Sequence, residues 1–178
     1  VDFSLLGDKF SVVAVSLKKY TRNMIVDTKA SPVYGSGVIY KNSGSMRSRG
    51  VELSASVLLT GGKFRWRVGG NIAYYKTRIM SLGGQDQQTI DLGDGVTLIN
   101  KVGEAPFSYY GHRADGVYAT SEQAAAEGLT TLSGYPYTGG DVRFRSLDGD
   151  KLITDSDREI LGCADPDFFG GFHTRMSW

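Results

Sequence analysis

Two long runs of alternating apolar and polar residues meet across a short turn in residues 49–82, and together they predict a β-hairpin. Val51, Leu53, Ala55, Val57 and Leu59 fall on one face of the first arm, while Glu52, Ser54, Ser56 and Thr60 fall mainly on the other, as the two-residue period of a strand requires. After Thr60-Gly61-Gly62-Lys63 the pattern resumes. Phe64, Trp66, Val68, Ile72 and Tyr74 share a face, opposed by Arg65, Arg67, Asn71, Tyr75 and Thr77. Each arm runs to roughly ten residues or more, longer than the usual strand of about five or six and about what a tilted strand needs to cross a bilayer. The opposite face carries arginines and an asparagine, which a dry sandwich core would not accept unpaired. Two readings fit the period: a membrane-barrel wall with a polar interior and a lipid-facing exterior, and a water-soluble antiparallel sheet with its apolar face on a core.

The pattern elsewhere is less regular. Residues 1–6 read as the end of a strand, Gly7-Asp8-Lys9 as a tight turn, and residues 10–23 as a second long strand. In that strand Val12, Val13, Ala14 and Val15 are consecutive, so the period does not say which parity faces out. Residues 30–46, with Ser31-Pro32, Gly35-Ser36-Gly37 and Asn42-Ser43-Gly44-Ser45, are predicted as loop from their turn chemistry. From 83 to 165 the long alternation disappears. A structureless connection of that length is uncommon, so the segment is expected to carry local structure and function. Residues 89–92 and 96–102 read as short strands around Gly93-Asp94-Gly95, and 121–127 as a short helix with Ser121 as N-cap and Gly128 as its stop. Alternation returns at 168–178, with Phe168, Phe172, Met176 and Trp178 opposed by His173, Arg175 and Ser177.

Composition narrows the function classes. The chain has 178 residues, a formal charge of +1, 24 glycines and 4 prolines, a balance suited to strands and turns. Its basic residues are interleaved with acids, so no phosphate-tracking patch for nucleic acid is read from the sequence. Cys163 is the single cysteine and forms no internal disulfide. No run of about eighteen apolar residues marks a transmembrane helix. Both ends begin or stop within strand-like alternation, and the chain is expected to be an internal piece of a longer polypeptide. No nucleophile elbow, phosphate loop or paired catalytic carboxylates point to an enzyme.

Three groups of residues are candidates for binding. Residues 146–157 can be laid on a twelve-residue calcium loop, which needs six to eight oxygens. Ser146, Asp148, Asp150, Thr154, Asp157 and the carbonyl of Leu152 would supply them. Ser146 at the first position removes a charge, and Lys151 at the sixth must accept a sharp turn better suited to glycine. The competing reading is a plain Asp148-Gly149 turn whose carboxylates are solvated or paired with Arg158. Tyr109, Tyr110 and Arg113 are candidate substrate contacts, and Tyr118, Tyr135 and Tyr137 offer further aromatic faces for sugars; the competing reading, favoured for any single tyrosine, is that these rings pack the loop segment itself. Glu52, Arg65, Arg67 and Arg175 are expected to form an interior charge network. His112 and His173 have no ligand spacing around them that supports a metal.

Eight local patterns stand in one order: Tyr20-x-Arg22-x-Met24-Ile25; Asn42-x-Gly44; Arg49-Gly50-Val51-Glu52-Leu53; Trp66 with Asn71-Ile72-Ala73-Tyr74; Tyr110-Gly111-x-Arg113-x-Asp115-Gly116-Val117-Tyr118; Gly140-Asp141-Val142-Arg143-Phe144; Asp148-Gly149-Asp150 with Ile153-Thr154-Asp155-x-Asp157-Arg158; and Ile160-x-Gly162 with Pro166-Asp167-Phe168-x-x-Gly171-Phe172. In this order the chain resembles SusC/RagA-type TonB-dependent outer-membrane proteins of Bacteroidetes, over nearly its whole length and in the later part of their barrel. The resemblance implies an all-β fold, a segment of a large antiparallel transmembrane barrel with 22 strands in the family, and a long extracellular loop subdomain containing a short helix. It divides the chain into barrel strands at 1–82 with an extracellular loop at 27–48, a loop subdomain at 83–165, and a further barrel strand at 166–178. It also implies import of oligosaccharides or peptides, TonB engaged through an amino-terminal part outside this chain, a SusD-like lipoprotein as lid, and contact with outer-membrane lipid. No cofactor is required by it, and calcium at the 146–157 loop is the optional exception. The alternative of another class is a soluble all-β carbohydrate-binding module with a calcium-stabilised loop, which would bury the Phe64, Trp66, Val68 and Ile72 face against a second sheet.

Overall fold

The computed structural model describes residues 1–5, 9–29 and 37–178, which fall into two compact units. The first comprises Val1–Gln88, Lys101–Pro106 and Asp165–Trp178; the second comprises Thr89–Asn100 and Phe107–Ala164.

The first unit is an antiparallel sheet of β1 (Asp2–Leu5), β2 (Phe10–Lys29), β3 (Val38–Gly61), β4 (Arg65–Leu82) and β11 (Phe168–Ser177), in the order β1-β2-β3-β4-β11. β2, β3 and β4 hold 20, 24 and 18 residues, about twice what a bilayer crossing needs. Residues paired directly across antiparallel strands point to the same side, so the register fixes both faces. One face carries Phe3 and Leu5, then the rungs Phe10–Val57–Val68–Thr174, Val12–Ala55–Gly70–Phe172, Ala14–Leu53–Ile72–Gly170 and Ser16–Val51–Tyr74–Phe168. The other carries Val13–Ser54–Asn71–Gly171, Val15–Glu52–Ala73–Phe169 and Arg67 opposite Arg175. The parity of residues 10–20, undecidable from the valine run, is thereby settled. Even positions share the side of the apolar band, and Val13 and Val15 sit opposite Ser54 and Glu52 on the polar side.

The predicted loop at 27–48 is corrected over much of its length. Asp27–Lys29 close β2, and β3 already begins at Val38 and pairs with β2 from Lys29↔Val38 onward. Residues 30–36 of the predicted loop, and 7–8 of the predicted turn at Gly7-Asp8-Lys9, lie outside the described residues. The loop prediction rested on side chains, whereas ladder pairing uses the backbone. The turn-forming residues are absorbed at a bulge, where the register shifts between Thr21 and Ile25 and Asn23 takes φ 58°. Gly44 is required there, because a Cβ on it would sit 2.5 Å from Val26 Cγ2. At this end Val26, Ile79 and Leu82 are buried with Met46 against them, and Ile79 exchanges backbone hydrogen bonds with Gly103 and Glu104 at 2.8 and 3.0 Å.

The connection between β4 and β11 is folded. β5 (Gln87–Asp91), β6 (Thr97–Lys101), β7 (Ser108–His112) and β10 (Arg158–Gly162) form a sheet in the order β10-β7-β6-β5, while β8 (Ala114–Val117) pairs with β9 (Val142–Phe144). The Gly93-Asp94-Gly95 turn is present, with all three residues at positive φ and Leu92 N–H donating to the Val96 carbonyl at 3.0 Å. Helix α1 (Ser121–Glu127) ends on Gly128 at φ 72°, as predicted, but its N-cap is Thr120 rather than Ser121. The Thr120 hydroxyl accepts from Gln123 N–H, the third residue on, which satisfies a donor that Ser121 is one step too late to reach. Ile99, Tyr118, Ala124, Leu129 and Ile153 are buried in this second unit.

Candidate functional site

The apolar side of the five-stranded sheet is the first functional surface. Val51, Ile72, Phe168 and Phe172 on it are 54, 51, 67 and 77% exposed, so among the described residues this face lacks the second sheet that the soluble-module reading requires against it. Large exposed apolar patches mark interaction or membrane surfaces. Trp66 and Tyr74 stand eight residues apart on β4, about 27 Å along the strand and about 21 Å of height once it is tilted by about 40°, near the apolar band of an outer-membrane barrel. Aromatic residues stand at both margins. Phe64 and Trp178 lie 6.2 Å apart at the end of the Gly61-Gly62 turn, and Tyr74 lies at the other.

The opposite side mixes polar residues with Val13, Val15, Ala73 and Phe169, and its arginines gather toward the Gly61-Gly62 end. Arg67 faces Arg175 and Arg65 faces Ser177 across β4 and β11, and with Leu58 these residues line a shallow hollow. Arg67 Nη1 donates to Ser56 Oγ at 3.4 Å. The expected network of Glu52 with these arginines does not assemble. Glu52 pairs in register with Ala73, six residues along β4 from Arg67, and that spacing is about 20 Å. Tyr75 stacks on Phe169 at 5.7 Å and covers Gly50, where a Cβ would lie 2.2 Å from the ring.

In the second unit, arginine–carboxylate pairs tie the short elements together. Arg145 grips Asp115 through Nε and Nη2 at 3.0 and 3.1 Å, Arg143 Nε lies 2.8 Å from Glu127, and Arg113 pairs with Glu159. Asp115 is held below the usual carboxylate range by the Arg145 hydrogen bond. Arg113, a candidate substrate contact, is therefore engaged between β8's entry and β10. Tyr109 and Tyr110 line a hollow with His112, Phe144, Arg158 and Leu161. Tyr118, Tyr137, Phe144 and His112 run ring to ring at 6.2, 6.3 and 5.8 Å; burial pushes the Tyr118 and Tyr137 hydroxyls up. These rings build the interior of the unit, whereas Tyr135 is 71% exposed.

The 146–157 loop is organised by its own hydrogen bonds. Asp157, 1% exposed, accepts from Leu147 N–H at 2.7 Å and Thr154 N–H at 2.8 Å. Burial would raise its pKa, but the two backbone donors prevail and hold it below its ordinary value. Asp148 Oδ1 accepts from Asp150 N–H, Asp150 Oδ1 from Leu152 N–H and Ser146 Oγ from Gly149 N–H. Lys151 adopts φ 66°, the left-handed turn that its position demands. Among the described residues no group of three or more acidic, histidine or cysteine side chains converges on a point that could hold a metal. Arg158 Nε sits 3.1 Å from Asp155, misaligned for a hydrogen bond, and His112 Nε2 donates to the Thr154 carbonyl at 2.7 Å. Sequence reasoning missed β7, β8, β9 and β10, which place these groups; they are short, and the pairs β7–β10 and β8–β9 join residues far apart in the sequence.

No family model matches the chain. It is 34% identical over 144 residues to TonB-dependent receptor P3 of Formosa agariphila, covering 78% of this chain and 14% of that protein. TonB-dependent receptor P39 of the same organism is 26% identical over 210 residues, covering all of this chain and 20% of the relative. The chain thus spans about a fifth or less of the length of these relatives. Among solved structures it superposes on the RagAB peptide transporter with a TM-score of 0.70 at 18% identity, covering 99% of this chain and 18% of that one. It also superposes on the open-open state of the RagAB peptide importer, with a TM-score of 0.72 over 98% of this chain and 18% of that one. The two-faced sheet with its aromatic margins and these likenesses lead to one conclusion: the chain belongs to the TonB-dependent receptors of the outer membrane, as a segment of their antiparallel β-barrel.

Proposed function

We propose that the receptor containing this segment imports peptides or oligosaccharides across the outer membrane with energy passed through TonB, and that a SusD-like lipoprotein closes its outer mouth. The segment supplies β1–β4 and β11 to the barrel wall, and the folded connection between β4 and β11 is an extracellular element that meets the lid and the cargo. The two-faced sheet carries this reading. One side is an exposed apolar band, and the other lines a lumen with Ser54, Glu52, Asn71, Arg67 and Arg175. Short turns lie on the periplasmic side of such barrels and long connections outside, which puts Gly61-Gly62 inside and the 83–165 connection outside. The fold relatives are named as peptide transporters, so peptide is the first cargo class to test. Tyr109 and Tyr110 are the proposed cargo contacts in the second unit.

The test is expression of the intact receptor with its neighbouring lipoprotein, membrane fractionation, and uptake of labelled peptides and oligosaccharides with and without TonB. Outer-membrane fractionation, co-purification of the lipoprotein and TonB-dependent uptake of one cargo class are expected. A protein that is soluble and monodisperse without detergent, or uptake indifferent to TonB, contradicts the reading.

A further inference from the structure

The apolar band ends in a group of cations that the alternation alone conceals. Beyond the Ser16–Val51–Tyr74 rung, the next two rungs on the same side of the sheet are Lys18–Arg49–Lys76 and Tyr20–Arg47–Arg78. Strands about 4.8 Å apart and rungs about 6.8 Å apart place these five cations in a patch roughly 10 Å by 7 Å. No carboxylate occupies either rung, and no ion pair of the five is recorded among the described residues. Lys18 Nζ lies 5.2 Å from the Tyr20 ring centroid, and Arg78 Nη1 donates to the Gly103 carbonyl at 3.0 Å, leaving its other donors available. Lys18, Tyr20, Arg49, Lys76 and Arg78 are exposed. Like charges directly opposite each other destabilise a sheet, so three basic residues across one rung impose a cost in the absence of an anion.

The geometry points to a binding surface for the phosphate groups of an outer-leaflet lipid, the phosphorylated glucosamine headgroup of lipid A. This rests on the barrel reading above: the patch shares the lipid-facing side, sits at the end away from Gly61-Gly62, and begins where the apolar band stops, flanked by Tyr74 and Tyr20. A lateral surface at that height meets lipid headgroups rather than cargo, and arginines present forked donors that match phosphate oxygens. Acyl chains would lie along the Val51, Leu53 and Ile72 band below.

The experiment uses the intact receptor, first shown to fractionate with the outer membrane; failure at that step overturns both the barrel reading and this surface. The purified receptor is exchanged into nanodiscs containing lipid A or its dephosphorylated counterpart, and retained lipid is counted by native mass spectrometry after extraction. The triple variant Lys18→Gln/Arg49→Gln/Lys76→Gln is compared with a charge-matched control, Lys9→Gln/Lys63→Gln/Lys101→Gln. At about fivefold per cation removed, retention of lipid A is expected to fall on the order of a hundredfold in the triple variant and to hold in the control. Equal loss in both, or equal retention of the two lipids by the unaltered receptor, overturns the proposal. The salt dependence of lipid A retention by the unaltered receptor keeps the test open should the triple variant fail to fold. Retention must weaken as salt rises, and salt-independent retention overturns the phosphate contact.

Discussion

At the scale of single residues, Asp157 and Gly50 show where a side chain, or its absence, is fixed by surroundings. Asp157 is a buried carboxylate whose oxygens take the N–H groups of Leu147 and Thr154 and so close the 146–157 loop on itself. Its folded-state pKa is depressed, so its contribution is fully present above the unfolded value of about 3.9 and is lost as pH falls through the folded value. Asp157→Ala leaves two donors without their acceptor and is expected to cost about 1–3 kcal/mol of local stability. Amide exchange across 146–157 in the intact receptor, corrected for intrinsic rates, should rise in the variant and rise in the unaltered protein at acid pH; unchanged protection would refute the role. Gly50 lies beneath the Tyr75 ring, and Gly50→Val is expected to cost about 1–3 kcal/mol through displacement of Tyr75 from Phe169. A thermal melt of the detergent-solubilised receptor reads that loss. Neither role was visible in the sequence. Asp157 was named there as a calcium ligand, and its two backbone partners emerge only when the turn is seen closed.

At the scale of elements, the alternation in 51–59 and 64–74 was legible because one side of each strand meets an apolar medium and the other does not. The same rule failed at 10–20, where Val13 and Val15 are apolar on the polar side, and at 38–48, where polar and turn-forming residues extend β3 beyond the apolar band. Beyond that band both sides of a strand can be wet, so no period is imposed on it. The parity assignment has a sharp consequence at two adjacent positions. Leu53 lies mid-band between Ala14 and Ile72, and Ser54 lies on the other side between Val13 and Asn71. Leu53→Arg is expected to cost about 2–4 kcal/mol, as for a lipid-facing arginine near the midplane, whereas Ser54→Arg points into the lumen and is expected to cost far less. Heat-modifiable mobility of the two variants in membrane extracts measures the folded fraction. Equal yields would show that neither side faces lipid. In the second unit the helix and the Gly93-Asp94-Gly95 turn were legible from local chemistry, but the long-range pairs β7–β10 and β8–β9 carry no comparable signature.

At the scale of the molecule, the five-stranded sheet presents its outer strands β1 and β11 and an exposed apolar band. Unpaired strand edges recruit other strands, so these 178 residues expressed alone without detergent are expected to aggregate, while the intact receptor remains monodisperse in detergent. Light scattering of the two preparations decides this. The family was legible because its motifs fall at bulges, turns and ion-paired positions spread along the whole chain, such as Asn42-x-Gly44 and Tyr110-Gly111-x-Arg113-x-Asp115. Cargo was not, because Tyr109 and Tyr110 supply aromatic surface that serves a peptide or a sugar equally. The central claim is that even positions of 10–16 in β2 and of 66–74 in β4 face lipid and odd positions there face water. Single cysteines at Val12, Ile72 and Tyr74, and at Ser11, Asn71 and Tyr75, placed in a Cys163→Ser receptor in nanodiscs, test it with a membrane-impermeant maleimide. The account predicts labelling of the odd set and protection of the even set; labelling of both sets alike, or protection of the odd set, would contradict it.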